Sequence, residues 1–237
     1  MPSIISRISR RVSNRIRRYI GSIVREELRA QAWNIGYDMQ LRARRNSADY
    51  AQAHFGKAEM VEDRYKVLDI AIEASRAKEG IALEFGVYHG MSINYIGKRF
   101  KGRVYGFDSF EGLPEFWREG FDKGTFKVES LPVVPKNVTL VKGWFSATVS
   151  EFIQTSSAAI SLIHIDCDLY SSTVTVLDAL NERILKGTVI VFDEYYNYPG
   201  WENGEFLAFQ QFCQKYNRSY HYLAYNGLHE QVAVVVD

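Results

Sequence analysis

The 237-residue chain contains two cysteines, Cys167 and Cys213. Two lone thiols build neither a disulfide framework nor a zinc site of the usual spacing, and they suit a reducing, cytoplasmic setting. No run of eighteen apolar residues occurs, which leaves no candidate for a membrane-spanning helix. The first residues carry no continuous apolar stretch either, so a cleaved secretory signal is not expected. A net charge of +1 argues against bulk nucleic-acid binding. Internal repeats and low-complexity tracts are also missing. What remains is the composition of an ordinary globular α/β protein, long enough for one full-sized domain and an extension.

Charge is nevertheless unevenly placed. The first forty-five residues hold eleven Arg against Glu26, Glu27 and Asp38, which leaves the rest of the chain acidic. Ile4, Ile8, Val12, Ile16, Ile20 and Val24 recur every four residues, with Arg7, Arg11, Arg15 and Arg18 on neighbouring faces. That spacing predicts a basic amphipathic helix within an extension over residues 1–50. Three readings of it compete. It docks on its own domain or on a second subunit, as in a homo-oligomer; it lies on an anionic membrane surface, peripheral at the inner face; or it is an organelle transit segment.

From residue 61 helix and strand patterns alternate. Helices are predicted over 61–77, 92–100, 146–154, 172–184 and 204–216. Strands are predicted over 81–86, 103–108, 137–143, 159–166 and 188–194, and a closing hairpin over 219–225 and 231–237. The pattern predicts an α/β, Rossmann-like, doubly wound domain over residues 51–237. Its sheet is expected to be seven-stranded and mostly parallel, with the C-terminal hairpin antiparallel. Residues 109–137, rich in Gly, Pro and aromatics, are too many for a plain connection and are expected to form a lid or a substrate-facing insertion.

Ligands of such sheets bind outside the carboxyl ends of the strands. Those ends read Glu84-Phe85-Gly86, Asp108, Gly143-Trp144, Asp166 with Asp168, and Asp193-Glu194. Gly86 and Gly90, with Ser92 at the next helix start, let backbone approach a ligand, but the middle glycine of a dinucleotide fingerprint is missing. Asp108, at the end of the second strand, suits the two hydroxyls of a ribose. The glycine loop and Asp108 together propose a nucleoside, either a nicotinamide dinucleotide or S-adenosylmethionine. Asp166, Asp193 and Glu194 would repel one another without a cation between them, and hard oxygen donors favour Mg²⁺, Ca²⁺ or Mn²⁺; the alternative is that these acids cap helices or pair with Arg and Lys. A hydride-transfer enzyme does not need such a cluster, whereas a transferase that ionises a hydroxyl does. Phe116, Trp117, Tyr195, Tyr196, Tyr198 and Trp201 are expected at the mouth, either stacking on sugar rings or packing the lid. His89, His221 and His229 are weighed as bases. His164 reads as structural, and Cys167 as packing.

EFGVYHGMS, VYGFDSFEGLP, NVTLVKGWF, HIDCDLYSSTVTVLDAL and GTVIVFDEYYNYPGWENGE together resemble the macrocin/mycinamicin-type O-methyltransferases, a family of class I S-adenosylmethionine-dependent enzymes. The likeness covers residues 60–237 and not the basic extension. It implies methyl transfer to a hydroxyl of a sugar-containing or polyhydroxylated small molecule. Glu84, Gly86, Gly90 and Ser92 would line the methionine part of the cofactor. Asp108 would hold the ribose, with Ser109 near the adenine, and Gly143 and Trp144 would flank that base. Asp166, Asp193 and Glu194 would hold Mg²⁺, with Asp166 and Asp193 catalytic and Asp168 orienting the ligands. Paired aspartates stand in the family where this chain has Asp193-Glu194, so Glu194 is expected to bind directly or through water. Metal-independent transfer and a non-catalytic membrane-associated protein are the alternatives.

Overall fold

A computed structural model describes residues 4–237, the side chains of residues 4–12 and 14 excepted. The chain forms two compact units that divide between Arg42 and Ala43. In the first lie α1 (Ile4–Ala32) and the start of α2 (Ile35–His54). Residues 43–50, read with the extension from sequence, pack with the second unit. Ala43 and Ser47 are buried there, and Ser47 Oγ accepts from the Asn197 amide at 2.8 Å. Among the described residues no helix is long and apolar enough to cross a membrane.

The second unit is built on eight strands, one more than expected. They are β1 (Glu59–Val61), β2 (Ile81–Phe85), β3 (Val104–Asp108), β4 (Val138–Lys142), β5 (Ile160–Ile165), β6 (Val189–Phe192), β7 (Tyr220–Asn226) and β8 (Val232–Val236). Their order is β1-β7-β8-β6-β5-β2-β3-β4, parallel throughout except that β8 runs against both neighbours. The unexpected strand is β1, which pairs in parallel with β7. It is three residues long and mostly exposed, so it carries no periodic apolar signal. The helix expected over 61–77 starts later for the same reason. Asp63, whose carboxylate accepts from Tyr65 N at 2.8 Å, caps α3 (Arg64–Ser75).

Alternation in the buried strands splits the core into two layers. Leu83, Phe85, Ile163, Ile165 and Phe192 face α5 (Phe145–Thr155), α6 (Tyr170–Leu180) and α7 (Glu205–Tyr216). Ala82, Leu162 and Val191 face α3 and α4 (Met91–Arg99). Glu84 and His164 are register partners on adjacent strands, hence on this second face, where charge must be paired to be buried. Strand order reverses between β2 and β5, which opens the crevice at their carboxyl ends. There Gly86 adopts φ 93°, and a Cβ on it would overlap the Asp166 carbonyl oxygen.

Candidate active site

One cavity of about 330 Å³ lies over these strand ends. Gly86, Ser92, Asp108, Ser109, Gly143 and Trp144 line one part of it, and Asp166, Asp193 and Glu194 another. Nine of the eleven residues expected at the site therefore meet in one space. Gly90 and Glu84 do not line it. Gly90, in the left-handed region at φ 81°, starts α4, and no side chain caps that helix. Glu84 is wholly buried beneath the cavity, where its Oε1 accepts from Ser92 Oγ at 3.0 Å.

The glycine-loop end is held by backbone hydrogen bonds. Asp108 Oδ2 accepts from the amides of Val87 and Tyr88, both at 2.8 Å, and its Oδ1 accepts from Phe110 N at 2.7 Å. The side chain read as a ribose holder thus also fixes the loop that approaches the ligand. Tyr88, at φ 48°, lines the cavity in a backbone conformation unusual for a bulky residue, and those two bonds hold it there.

At the other end charge predominates. Asp193 Oδ1 lies 3.0 Å from Arg64 Nη2 and 3.6 Å from His164 Nε2, and its Oδ2 accepts from Gln231 Nε2 at 3.3 Å. Asp166 Oδ2 is 3.4 Å from the same Arg64 nitrogen. Ligand atoms of His164, Asp166 and Asp193 fall within 4.8 Å of one another, and so do those of Asp166, Asp168 and Glu194. Asp166 is common to both groups, while Asp193 and Glu194 do not share one. Glu205, absent from the sequence reading, backs the cluster: its Oε2 accepts from Glu194 N at 3.1 Å.

Burial drives the ionisation here, and neighbouring charges decide which group yields. Burial and the charge of Asp193 raise the Asp166 carboxyl well above its ordinary value. Burial with Asp193, Asp168 and Asp166 does the same to Glu194. Asp168 is pushed up to about 7 by burial and Asp193, with Arg118 opposing. Asp193 goes the other way, because His164, Arg64 and Gln231 outweigh the burial that would raise it. His164 is wholly enclosed, and burial works against its charge. Asp193 and Glu84, whose Oε2 lies 3.2 Å from Nδ1, overcome that and hold the imidazole up at about 10. His164 is thus held towards its charged form between the Glu84 and Asp193 carboxyl groups, a buried pairing in keeping with the structural role its place in a strand suggested.

These residues fit a hard dication. The donors are carboxylate oxygens, and Glu194 Oε2 is buried with no hydrogen-bond partner. Arg64, which sequence reasoning missed, already contributes one positive charge between Asp166 and Asp193. It reaches them from the first turn of α3, and the only local signal was the Asp63 cap just before it.

Segment 109–137 does face the cavity, through Leu113, Trp117, Arg118, Phe121 and Phe126 among others. Arg118 stacks 3.8 Å from the centre of the Trp117 ring and pairs with Glu230 at 3.4 Å. The aromatics expected at the mouth mostly lie elsewhere. Tyr195, Tyr196, Tyr198 and Trp201 are core residues, Phe116 is exposed, and of the six only Trp117 lines the cavity. The 195–201 segment turns inward because its rings fill the layer under α7, where Tyr195 packs on Phe192 and Phe206. His89 lines the cavity; His221 pairs with Asp237 away from it.

Residues 83–195 match a sequence family described as a methyltransferase domain. No curated protein matches the chain. Among solved structures, the calicheamicin methyltransferase CalS11 is 22% identical over 73% of this chain and 80% of its own, with a TM-score of 0.57. A second, ligand-free structure of CalS11, described as a TDP-rhamnose 3'-O-methyltransferase, gives 22%, 73%, 81% and 0.52. The O-methyltransferase NovP is 17% identical over 72% of this chain and 78% of its own, with a TM-score of 0.54. These likenesses establish the shared fold, and the match over β2 to the tip of β6 establishes the class: the chain is an enzyme with a methyltransferase domain.

Proposed function

We propose that the enzyme moves a methyl group from S-adenosylmethionine to a hydroxyl of a sugar-containing or polyhydroxylated small molecule, with Mg²⁺ at the strand tips, as a macrocin-type O-methyltransferase. The observation that carries this reading is the single cavity joining a glycine-loop end to a carboxylate cluster. The description of CalS11 as a sugar O-methyltransferase supports the acceptor class.

In this reading Gly86 lets the sulfonium approach the β2 tip, and the uncapped start of α4 receives the amino-acid carboxylate. Asp108 faces the ribose, while Ser109, Gly143 and Trp144 enclose the adenine. Asp166 would hold the metal with Asp193, and Glu194, which shares a ligand group with Asp166 alone of the two, would act through water; bound there, the metal would lower the acceptor hydroxyl's pKa and fix its position. Bound in this cavity, S-adenosylmethionine would supply the methyl group by a displacement in which the C–O bond forms as the C–S bond breaks, with neutral S-adenosylhomocysteine as the leaving group. The hydroxyl proton passes to Asp168, a cavity-lining carboxylate held near 7. The lid residues Leu113, Trp117 and Phe121 exclude water from the sulfonium.

A second reading, transfer without metal, is favoured by Arg64, whose guanidinium already bridges Asp166 and Asp193. Calorimetric titration with S-adenosylhomocysteine, and then with Mg²⁺, tests both. The first reading expects the nucleoside to bind in EDTA and Mg²⁺ to bind wild type but not Asp166→Asn. Mg²⁺ without measurable heat would leave the second reading, and no binding of S-adenosylhomocysteine would end both.

A further inference from the structure

The proposed chemistry leaves α1 unused, and the described part of that helix has two distinct sides. Ile16, Ile20, Ile23, Val24 and Leu28 are each about half exposed or more. At the helical repeat they fall within an arc of roughly 140°. Arg15, Arg18, Arg25 and Arg29, all exposed, lie on the other side, while Arg17 and Glu27, also exposed, fall within the arc. The sequence of α1 holds eight arginines against two acids, Glu26 and Glu27. Trp33 follows directly, 89% exposed, and Ile35 begins α2 with 75% of its surface open. An apolar stripe of this size in water asks for a cover.

We propose that α1 docks in the plane of an anionic bilayer. Its isoleucine face would lie among the acyl chains near the headgroups, its arginines on lipid phosphates, and Trp33 at the interface. The sign of the charge selects this occupant. A second copy of α1 packed on the same stripe would need acids facing bases along the seam. Along α1 as a whole eight arginines stand against two acids, so pairing two copies sets mostly like charges together. A phosphate-bearing surface complements them, and guanidinium binds phosphate in a bidentate manner. The proposal rests on α1 and is independent of the methyl-transfer reading.

The test is flotation of the full chain with phosphatidylcholine vesicles, with and without phosphatidylglycerol. Anionic vesicles should carry at least about tenfold more protein upward than neutral ones, and raised salt should reduce that excess. The paired change Ile20→Glu with Ile23→Glu should abolish flotation while S-adenosylhomocysteine binding, read by calorimetry, stays at the wild-type value. Wild type that stays at the bottom with anionic vesicles overturns the proposal. So does a double variant that floats like wild type. A wild-type dimer that the double variant converts to monomer, with no flotation by either, assigns the stripe to a second copy instead.

Discussion

The two ends of the cavity solve different problems. At the glycine-loop end, polar groups are settled before any ligand arrives: Asp108 already binds three backbone amides. At the carboxylate end, four acids line the space or its edge, with a fifth, Glu205, behind them, and Glu194 Oε2 has no hydrogen-bond partner. The first end is preorganised and close to neutral in its demands, so it suits a ligand held by shape. The second crowds acids into a buried place, where Asp166 and Glu194 are pushed towards their neutral forms unless positive charge comes from Arg64, His164 or a bound ion. Binding and chemistry should therefore be separable by mutation.

The strongest test of that separation is Asp166→Asn. Methyl transfer should fall by about a thousandfold, as expected for loss of a group that organises transition-state charge, while affinity for S-adenosylhomocysteine stays within about threefold. Equal losses in both would erase the distinction between the ends. Next comes His164→Leu, which strips the imidazolium from between Glu84 and Asp193. Urea denaturation should show a loss of about 3–5 kcal/mol, the cost of leaving buried charge unpaired. The same interaction gives a pH signature. The folded-state value of His164, about 10, lies above its ordinary 6.5, so its contribution is fully present below about 6.5. It is then lost as the pH rises towards about 10, and the wild type should lose more stability over that window than the variant.

At the other end, Asp108→Asn replaces an acceptor of three amides by a group with one acceptor oxygen. S-adenosylhomocysteine affinity should drop about tenfold or more, with the Mg²⁺ affinity unchanged. A smaller effect is expected for the pH profile of methyl transfer. Asp168 must be ionised to take the proton, and burial raises its carboxyl, so kcat/KM should fall on the acid side of the profile. Asp168→Asn should flatten that limb.

Much of this arrangement was legible in the residues. Runs such as Ile160–Ile165 are apolar on both faces and bounded by turns, which is how a parallel strand reads, and the acids after them had to share one edge of the sheet. Direction was harder to read. Nothing in YYNYPGW distinguishes rings that face a cavity from rings that fill a core, because a turn without periodicity does not fix where side chains point. Arg64 is distant in sequence from both acids it bridges and meets them only through the packing of α3. The relation of Glu84 to His164 was within reach, since strand parity puts both on the α3 side of the sheet. Recognising it required the register of β2 against β5.

Gly86 couples the two ends despite their different chemistry. With its backbone pressed on the carbonyl of Asp166, the tips of β2 and β5 touch at the floor of the cavity. One methyl group at position 86 would act as a wedge, levering the acid tip away from the loop. The spacing of these two strand tips is thus set by a hydrogen atom where every other amino acid has carbon.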